Sequence, residues 1–155
     1  MIKVLSKLNT KSPSLYIFCD GGARGNPGPA AIAYFVKDSK GKILVENSQF
    51  IGQATNNIAE YQAIISALKW LLRNQKTLSL ALYTLHLYSD SQLVVNQLNG
   101  LFKIKNAKLR ELIIQARGLT QQLKTNIFYH HIFRTKNKRA DALLNQTLDL
   151  FFKKK

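Results

Sequence analysis

The sequence contains very little cysteine and few acidic residues. Cys19 is the single cysteine among 155 residues, so a disulfide within the chain is excluded. Because Cys19 follows Ile17 and Phe18 in an apolar run, we expect a buried core thiol. No apolar run reaches the roughly 18 residues that a membrane-spanning helix needs, and the first residues lack a signal-peptide pattern. These absences predict a cytoplasmic protein without a membrane span.

The scarcity of acidic residues leaves a strongly basic chain. There are 23 Lys and Arg residues against 8 Asp and Glu residues, which gives a formal net charge of +15. Such a field attracts polyanions, and nucleic acid is the partner that we expect. Two alternatives are a merely solubilising surface and an anionic membrane surface, for which the C-terminal FFKKK is a weak candidate.

The hydrophobic pattern predicts one α/β domain. The chain divides into a basic N-terminal extension, a domain and a basic tail, with boundaries at 1–14, 15–151 and 152–155. The predicted strands are 15–19, 30–36, 42–52, 83–89 and 126–133. The predicted helices are 58–73, 91–98, 109–123 and one that starts near Asn137. The first three strands are joined by short loops, which favours an antiparallel meander.

Four of the acidic residues lie at the ends of predicted elements. Asp20 and Asp90 each end an apolar strand, whereas Glu60 and Asp141 lie near the starts of helices. If the first and fourth strands are neighbours, the four carboxylates meet at one sheet edge. Two carboxylates about 5 Å apart repel by roughly 3 kcal/mol at an effective dielectric near 20. A divalent cation would neutralise such a cluster, and all-oxygen ligands favour Mg²⁺ or Mn²⁺. The alternative is that these acids cap helices or pair with Lys and Arg.

The segments around these acids resemble the four signatures of the type 1 ribonuclease H family. They are DGGARGNPGPA (20–30), TNNIAEY (55–61), YSDSQLV (88–94) and NKRADAL (137–143). The resemblance covers about residues 15–149. It implies a ribonuclease H-like α/β fold, with a five-stranded mixed sheet of order 3-2-1-4-5 and helices on both faces. It also implies an endonuclease that hydrolyses the RNA strand of RNA–DNA hybrids and leaves 5′-phosphate and 3′-hydroxyl ends.

The resemblance further implies a role for individual residues. Asp20, Glu60, Asp90 and Asp141 would be catalytic and would bind two Mg²⁺ ions, with Mn²⁺ as a possible substitute. Asp20 would be shared by both ions, Asp141 would join it on one, and Glu60 and Asp90 would hold the other. The partner would be an RNA–DNA hybrid and the protein a monomer.

Further residues carry over as substrate contacts. They are Gly21, Gly22, Asn26, Thr55, Asn56, Ser91, Gln92, Asn106 and Arg134. Asn26, Asn56 and Gln92 would reach the minor groove of the hybrid. Gly21, Gly22 and Ser91 would let the RNA strand approach, and Thr55 and Asn106 would grip a DNA phosphate. The alternative is that Asn26 belongs to an ordinary turn and that Thr55 and Asn56 only cap a helix.

The chain departs from the family pattern in two places. No histidine lies between the last strand and the last helix, so Arg134 or His131 is the candidate replacement for the loop histidine of other members. The basic protrusion of larger members is absent, and Lys103, Lys105 and nearby cations either replace its phosphate contacts or form a solvated face. Trp70 is expected in the core.

Two rival functions remain at this stage. One is a catalytically weak module on the same fold that binds RNA–DNA hybrids or double-stranded RNA. The presence of all four carboxylates argues against it, because binding alone does not need them. The other is a different nuclease of the same superfamily, such as a retroelement-derived domain or a junction resolvase.

Overall fold

The fold is built on a five-stranded mixed sheet, in a computed structural model that describes residues 12–154. The strands are β1 (Ser14–Ala23), β2 (Gly28–Asp38), β3 (Ile43–Ala54), β4 (Thr84–Ser89) and β5 (Ile127–His131). Their order is β3-β2-β1-β4-β5. The first three strands pair antiparallel, whereas β1, β4 and β5 are parallel. The predicted fold class and strand order are confirmed.

Four helices lie on the two faces of this sheet. They are α1 (Asn56–Asn74), α2 (Gln92–Leu98), α3 (Ala107–Gln122) and α4 (Lys138–Lys153). The main core forms between one sheet face and helices α1 and α3, where β1 contributes Leu15, Ile17 and Cys19. On the other face, Leu144 and Leu148 of α4 pack on the small residues Ala31 and Ala33 of β2. Small residues let a helix approach the strands closely, which brings α4 near the carboxyl end of β1.

The first strand is longer than predicted. Asp20 was expected to end it, but β1 continues to Ala23. The reason is that pairing with β4 stops at Cys19 opposite Ser89, whereas pairing with β2 continues to Ala23 opposite Ala30. Glycines make such an extension hard to predict, because Gly-rich segments are typical of turns. The loop that was expected over 21–29 is therefore limited to residues 24–27.

The other boundaries differ by a few residues. Ser14 already belongs to β1, and α4 continues to Lys153, inside the segment expected as a tail. The rest of the expected N-terminal extension, residues 1–11, lies outside the described residues, as does Lys155. Strand β5 ends at His131, two residues earlier than predicted.

The expectations for Trp70, for Cys19 and for the connection between α2 and α3 are confirmed. Trp70 packs partly buried against the main core, and Cys19 is buried in it. Eight residues, 99–106, connect α2 to α3 without a further helix, so the described chain lacks the basic protrusion. None of the helices within residues 12–154 is long and apolar enough to cross a membrane.

Candidate active site

A buried carboxylate lies at the centre of the site. The Asp20 side chain is only 4% exposed. Its Oδ1 accepts a hydrogen bond of 2.9 Å from the Gly21 amide, and its Oδ2 is buried without a hydrogen-bond partner within residues 12–154. Buried polar atoms are nearly always paired, so this unpaired carboxylate oxygen is available to a ligand such as a cation.

Three of the four predicted acids line one cleft, which we call the carboxylate cleft. Asp20, Glu60 and Asp141 border this cleft of about 440 Å³ together with Arg134. Its other lining residues are Gly21, Gly22, Ala23, Arg24, Asn56, Leu144, Asn145 and Leu148. Asp90 does not line the cleft, but its charge acts on both Asp20 and Glu60.

Strand pairing explains why Asp20 and Asp90 are neighbours. Strands β1 and β4 run parallel, and their last paired residues are Cys19 and Ser89. Asp20 is the next residue of β1, and Asp90 directly follows the last residue of β4. Both therefore lie at the carboxyl edge of the parallel part of the sheet. The sequence-based expectation that strands one and four are adjacent is thus confirmed.

Glu60 is positioned by a close contact between α1 and β1. A β-carbon added at Gly21 would lie 2.2 Å from the carbonyl oxygen of Ala59 and 2.5 Å from the Glu60 nitrogen. Only glycine therefore allows this helix start to pack against the strand that carries Asp20. The close approach brings Glu60, in the second turn of α1, to the carboxylate cleft.

Three side chains fix the start of α1. Thr55 caps the helix, because its hydroxyl accepts a hydrogen bond of 3.2 Å from the Ile58 amide. Asn26 Oδ1 accepts from the Asn56 amide at 3.0 Å, and Asn56 Oδ1 accepts from the Ala23 amide at 2.9 Å. The cap reading of Thr55 and the turn reading of Asn26 are therefore correct, whereas Asn56 is the first residue of α1 and its side chain bonds to the end of β1 instead of capping the helix. The Nδ2 groups of Asn26 and Asn56 take no part in these bonds, so both side chains remain compatible with a role in substrate binding.

Asn137 links the ends of β1 and β4 to the last helix, a role that the sequence analysis missed. Its side chain is 1% exposed. The Nδ2 group donates to the Cys19 carbonyl at 2.9 Å and to Asp90 Oδ2 at 3.4 Å. The backbone carbonyl of Asn137 accepts a hydrogen bond of 3.1 Å from the backbone amide of Asp141. One residue thus connects the backbone next to Asp20, the Asp90 carboxylate and the helix turn that carries Asp141.

The electrostatics of the cluster disfavour ionisation. Burial, together with the charges of Asp90, Asp141 and Glu60, raises the pKa of Asp20 to about 8. Burial also raises the pKa of Glu60 to about 7, against the opposing effects of a hydrogen bond from Ser91 and the positive charge of Arg134. Without a cation, Asp20 would be mostly protonated at neutral pH.

The carboxylate ligands are of the type that binds a divalent cation, although they do not yet surround a single metal position. Within residues 12–154, no three His, Cys, Asp or Glu side chains stand close enough together to hold a metal ion as they are. The unpaired Asp20 oxygen and the mutual repulsion of the carboxylates are nevertheless what a cation would relieve. Hard carboxylate oxygens without a nearby thiolate favour Mg²⁺ or Mn²⁺ over Zn²⁺.

A second cleft holds the predicted phosphate-gripping pair. Thr55 and Asn106 line a cleft of about 230 Å³ together with Asn26 and Lys108. Asn106 caps α3, accepting from the Lys108 and Leu109 amides at 2.9 and 3.1 Å. The starts of α1 and α3 therefore face one cleft, where the two helix dipoles and the Lys108 charge favour an anion.

The remaining predicted contacts lie around the same edge. Ser91 is buried, caps α2 through a 3.3 Å hydrogen bond from Val94, and interacts with Glu60. Gln92 is the exposed first residue of α2. Arg134 is exposed in a short 3₁₀ turn and lines the carboxylate cleft. His131 is exposed, contacts Phe133 edge-on and does not line the carboxylate cleft.

A contact between the glycine-rich loop and α4 was not predicted from the sequence. Arg24 forms an ion pair of 2.6 Å with Asp149 and a 3.4 Å hydrogen bond with Asn145. Both Arg24 and Asn145 line the carboxylate cleft. The only sequence signal was the position of Arg24 inside the first signature.

Comparison with known proteins places the chain in a family. Residues 18–147 match the family model described as "Reverse transcriptase-like". A protein named Ribonuclease H from Helicobacter acinonychis is 32% identical, over 82% of this chain and 87% of its own length. The crystal structure of LC11-RNase H1 in complex with an RNA/DNA hybrid is 38% identical, with a TM-score of 0.82 over 90% of this chain and 99% of that one. The chain therefore belongs to the type 1 ribonuclease H family.

Some relatives are much longer than the matched region. A bifunctional protein of Mycobacterium tuberculosis is 39% identical over 86% of this chain, yet the match covers only 35% of that protein. This chain thus spans about a third of the length of that relative.

Proposed function

We propose that this protein is an endonuclease that hydrolyses the RNA strand of RNA–DNA hybrids with the help of divalent metal ions. Asp20, Glu60, Asp90 and Asp141 are the proposed metal-binding and catalytic residues. The observation that carries the proposal is the buried, unpaired Oδ2 of Asp20 within a group of like charges. The family membership and the hybrid-bound relative support the choice of substrate.

The proposed cofactor is a pair of Mg²⁺ ions, with Mn²⁺ as an alternative. When held by these carboxylates, such ions would activate water and would stabilise the charge that develops in an in-line phosphoryl displacement. The products would carry 5′-phosphate and 3′-hydroxyl ends. Asp20 is the proposed shared ligand, because the charges of the other three acids all raise its pKa.

The chain's own residues hold this arrangement rigid. Asn137 fixes the orientation of the Asp90 carboxylate by its hydrogen bond. Gly21 lets α1 carry Glu60 against β1, and Ser91 keeps the Glu60 carboxylate hydrogen-bonded. Fixed carboxylates reduce the reorganisation that the reaction requires. Glu60 is also the proposed contact for a ribose 2′-hydroxyl, the group that distinguishes RNA from DNA.

Substrate binding is proposed to use both clefts. The Nδ2 groups of Asn26 and Asn56, together with Gln92, would donate to base edges in the minor groove. Thr55, Asn106 and the nearby Lys108 would hold a phosphate of the DNA strand, because the second cleft combines two helix starts with a cation. Gly21, Gly22 and Ser91 would allow the RNA strand to approach the carboxylates.

Arg134 is the proposed replacement for the loop histidine. It lines the carboxylate cleft and lowers the pKa of Glu60 by its charge, whereas His131 lies outside the cleft. An arginine stays charged at neutral pH, so it would stabilise anionic groups instead of moving protons.

A cleavage assay tests the proposal. The protein is incubated with a labelled RNA–DNA hybrid in Mg²⁺, Mn²⁺ or EDTA, in parallel with the Asp20→Asn variant. We expect cleavage of the RNA strand that needs both metal and Asp20, while RNA–RNA and DNA–DNA duplexes stay intact. Tight binding of the hybrid without cleavage in either metal would favour the binding-module alternative.

Two further properties belong to the same proposal. We propose a monomer and a cytoplasmic location, and the single cysteine, which cannot form a disulfide within the chain, supports the second of these. Sedimentation at several protein concentrations tests the first, and fractionation of the source cells tests the second.

A further inference from the structure

We propose that the open part of the sheet face that bears Asp20 binds a single-stranded segment of nucleic acid. One nucleotide would occupy the cavity between β1, β4 and the β2–β3 hairpin. This site is separate from both clefts of the proposed nuclease, and its occupant is the single-stranded form of the same polymer.

The face carries stacked rings at two adjacent levels across the strands, which together we call the aromatic row. Its members are Tyr16, Phe18, Phe35, His86, Tyr88, Phe128 and His130. Neighbouring rings are 4.8 to 6.4 Å apart between centroids, and their planes differ by 6 to 28°. Phe35 is buried, Phe128 is half exposed, and the other members are partly exposed. Helix α4 covers the β2 side of this face through Leu144 and Leu148.

A cavity opens beside the aromatic row. It has a volume of about 430 Å³ and is lined by Tyr16, Phe18, Tyr88 and residues 37–41 of the β2–β3 hairpin. This volume falls within the roughly 300–1,000 Å³ of small-ligand sites. Tyr16 pairs with Lys37 across the strands, and no ring of β2 covers that side of it. A base can therefore stack there next to the row.

The cavity also offers cations for a phosphate. Lys37 Nζ lies 5.2 Å from the centroid of the Phe18 ring, and Lys40 is exposed at the hairpin. The one acid in the lining, Asp38, is occupied locally, because its Oδ1 accepts from the Lys40 and Lys42 amides at 2.9 Å each. Rings and lysines together are the combination with which proteins bind single strands.

The composition of the face favours nucleic acid over a protein partner. On this face, β1 presents Tyr16 and Phe18, β4 presents His86 and Tyr88, and β5 presents Phe128 and His130. These strands present no aliphatic side chain on the described face, and the net charge of +15 opposes a basic partner. Rings and cations without aliphatic residues match bases and phosphates.

The position of the face connects it to the proposed reaction. Side chains alternate along a strand, so Asp20 lies on the same face as Phe18 and Tyr16 of β1. These residues are about 7 and 13 Å from Asp20 along the strand, at roughly 3.3 Å per residue. A single-stranded end that leaves the carboxylate edge can thus pass along β1, over Phe18, to the cavity.

Binding of a fluorescein-labelled eight-nucleotide oligouridylate, measured by anisotropy in EDTA, tests the proposal. We expect Lys37→Glu/Lys40→Glu and Tyr16→Leu each to weaken binding by at least about tenfold. The matched control is Lys69→Glu/Lys76→Glu, which makes the same charge change at exposed positions on and just after α1; it should change binding by less than about threefold. Equal losses in the two charge variants would overturn the proposal, because they would indicate only a general charge effect.

The histidines give a second readout that does not depend on the variants. The chain has three histidines, of which His86 and His130 belong to the aromatic row and His131 does not. Adding the oligonucleotide should shift the ring proton NMR signals of His86 and His130 more than those of His131. Binding without any shift of these two signals would contradict the proposal. RNA–DNA hybrid cleavage by the same variants is measured separately, so failure of this site is distinguishable from failure of the nuclease proposal.

Discussion

The buried amide of Asn137 donates a hydrogen bond to the carboxylate of Asp90, with 3.4 Å between Nδ2 and Oδ2. The same amide donates to the backbone carbonyl of Cys19, next to Asp20 in the chain. A side chain that cannot ionise thus links the Asp90 carboxylate to the backbone beside Asp20, and we propose that it controls how the two carboxylates are held.

Replacing Asn137 tests this control. We expect Asn137→Ala to lower kcat for hybrid cleavage by about 10- to 100-fold, because a ligand that loses its supporting hydrogen bond is poorly oriented. KM should change less, since Asn137 is buried away from the substrate. The free energy of unfolding should also fall by about 1–3 kcal/mol, as the Cys19 carbonyl loses its donor. A variant with normal kcat and only the loss of stability would show that Asn137 is purely structural.

The contact between Gly21 and α1 gives a prediction with a clean control. Gly21→Ala places a methyl group 2.2 Å from the Ala59 carbonyl oxygen, so α1 must move away from β1. We expect a loss of several degrees in Tm and of at least about tenfold in kcat, because Glu60 moves with the helix. Gly118→Ala in α3 meets no atom within 4 Å, and it should leave activity unchanged and stabilise the helix by up to about 1 kcal/mol. Equal activity of the two variants would refute the positioning role of Gly21.

The raised pKa of Asp20 predicts how stability depends on pH without metal. Its folded-state pKa is about 8 against an ordinary 3.8, so the protonated carboxyl favours the folded state. This contribution is complete below about pH 4 and is lost as pH rises to about 8. Asp20→Asn cannot ionise, so its Tm in EDTA should increasingly exceed that of the wild type between pH 5 and pH 8.5.

Metal should reverse that difference. If Mg²⁺ binds the ionised carboxylates as proposed, it will stabilise the wild type by mass action and have little effect on Asp20→Asn. Thermal denaturation of both proteins with EDTA and with Mg²⁺ measures this effect. A pH-independent gap between the two proteins, or equal stabilisation by Mg²⁺, would contradict the assignment of Asp20.

Arg134 can be tested against a neighbouring cation. Arg134→Ala removes the charge that lowers the pKa of Glu60, so the acidic limb of the activity–pH profile should move to higher pH. Its kcat should fall by about 10-fold or more. Lys136 lies in the same 3₁₀ turn but outside the carboxylate cleft. Lys136→Ala should therefore change neither the acidic limb of the profile nor kcat. Identical profiles for both variants would exclude a role for Arg134 in the site.

The sequence by itself determined most of the fold. The continuous apolar run 15–19 indicates a buried strand, which is β1 with Leu15, Ile17 and Cys19 in the core, and helix caps such as Thr55 mark where the period changes. The placement of Asp90 after a strand and of Glu60 and Asp141 near helix starts was readable for the same reason, because local periodicity locates the elements. The end of β1 at Ala23 could not be predicted from the sequence, because glycines that pair in a sheet are indistinguishable from glycines in a turn.

Only the tertiary structure decided how the acids relate to each other. The carboxylate cleft, the raised pKa values of Asp20 and Glu60, and the link through Asn137 depend on contacts between residues far apart in the chain. The same holds for the aromatic row, whose rings come from four strands. Periodicity shows which side of a strand a residue occupies, but strand order and register decide which residues meet, and that information exists only after the sheet has formed.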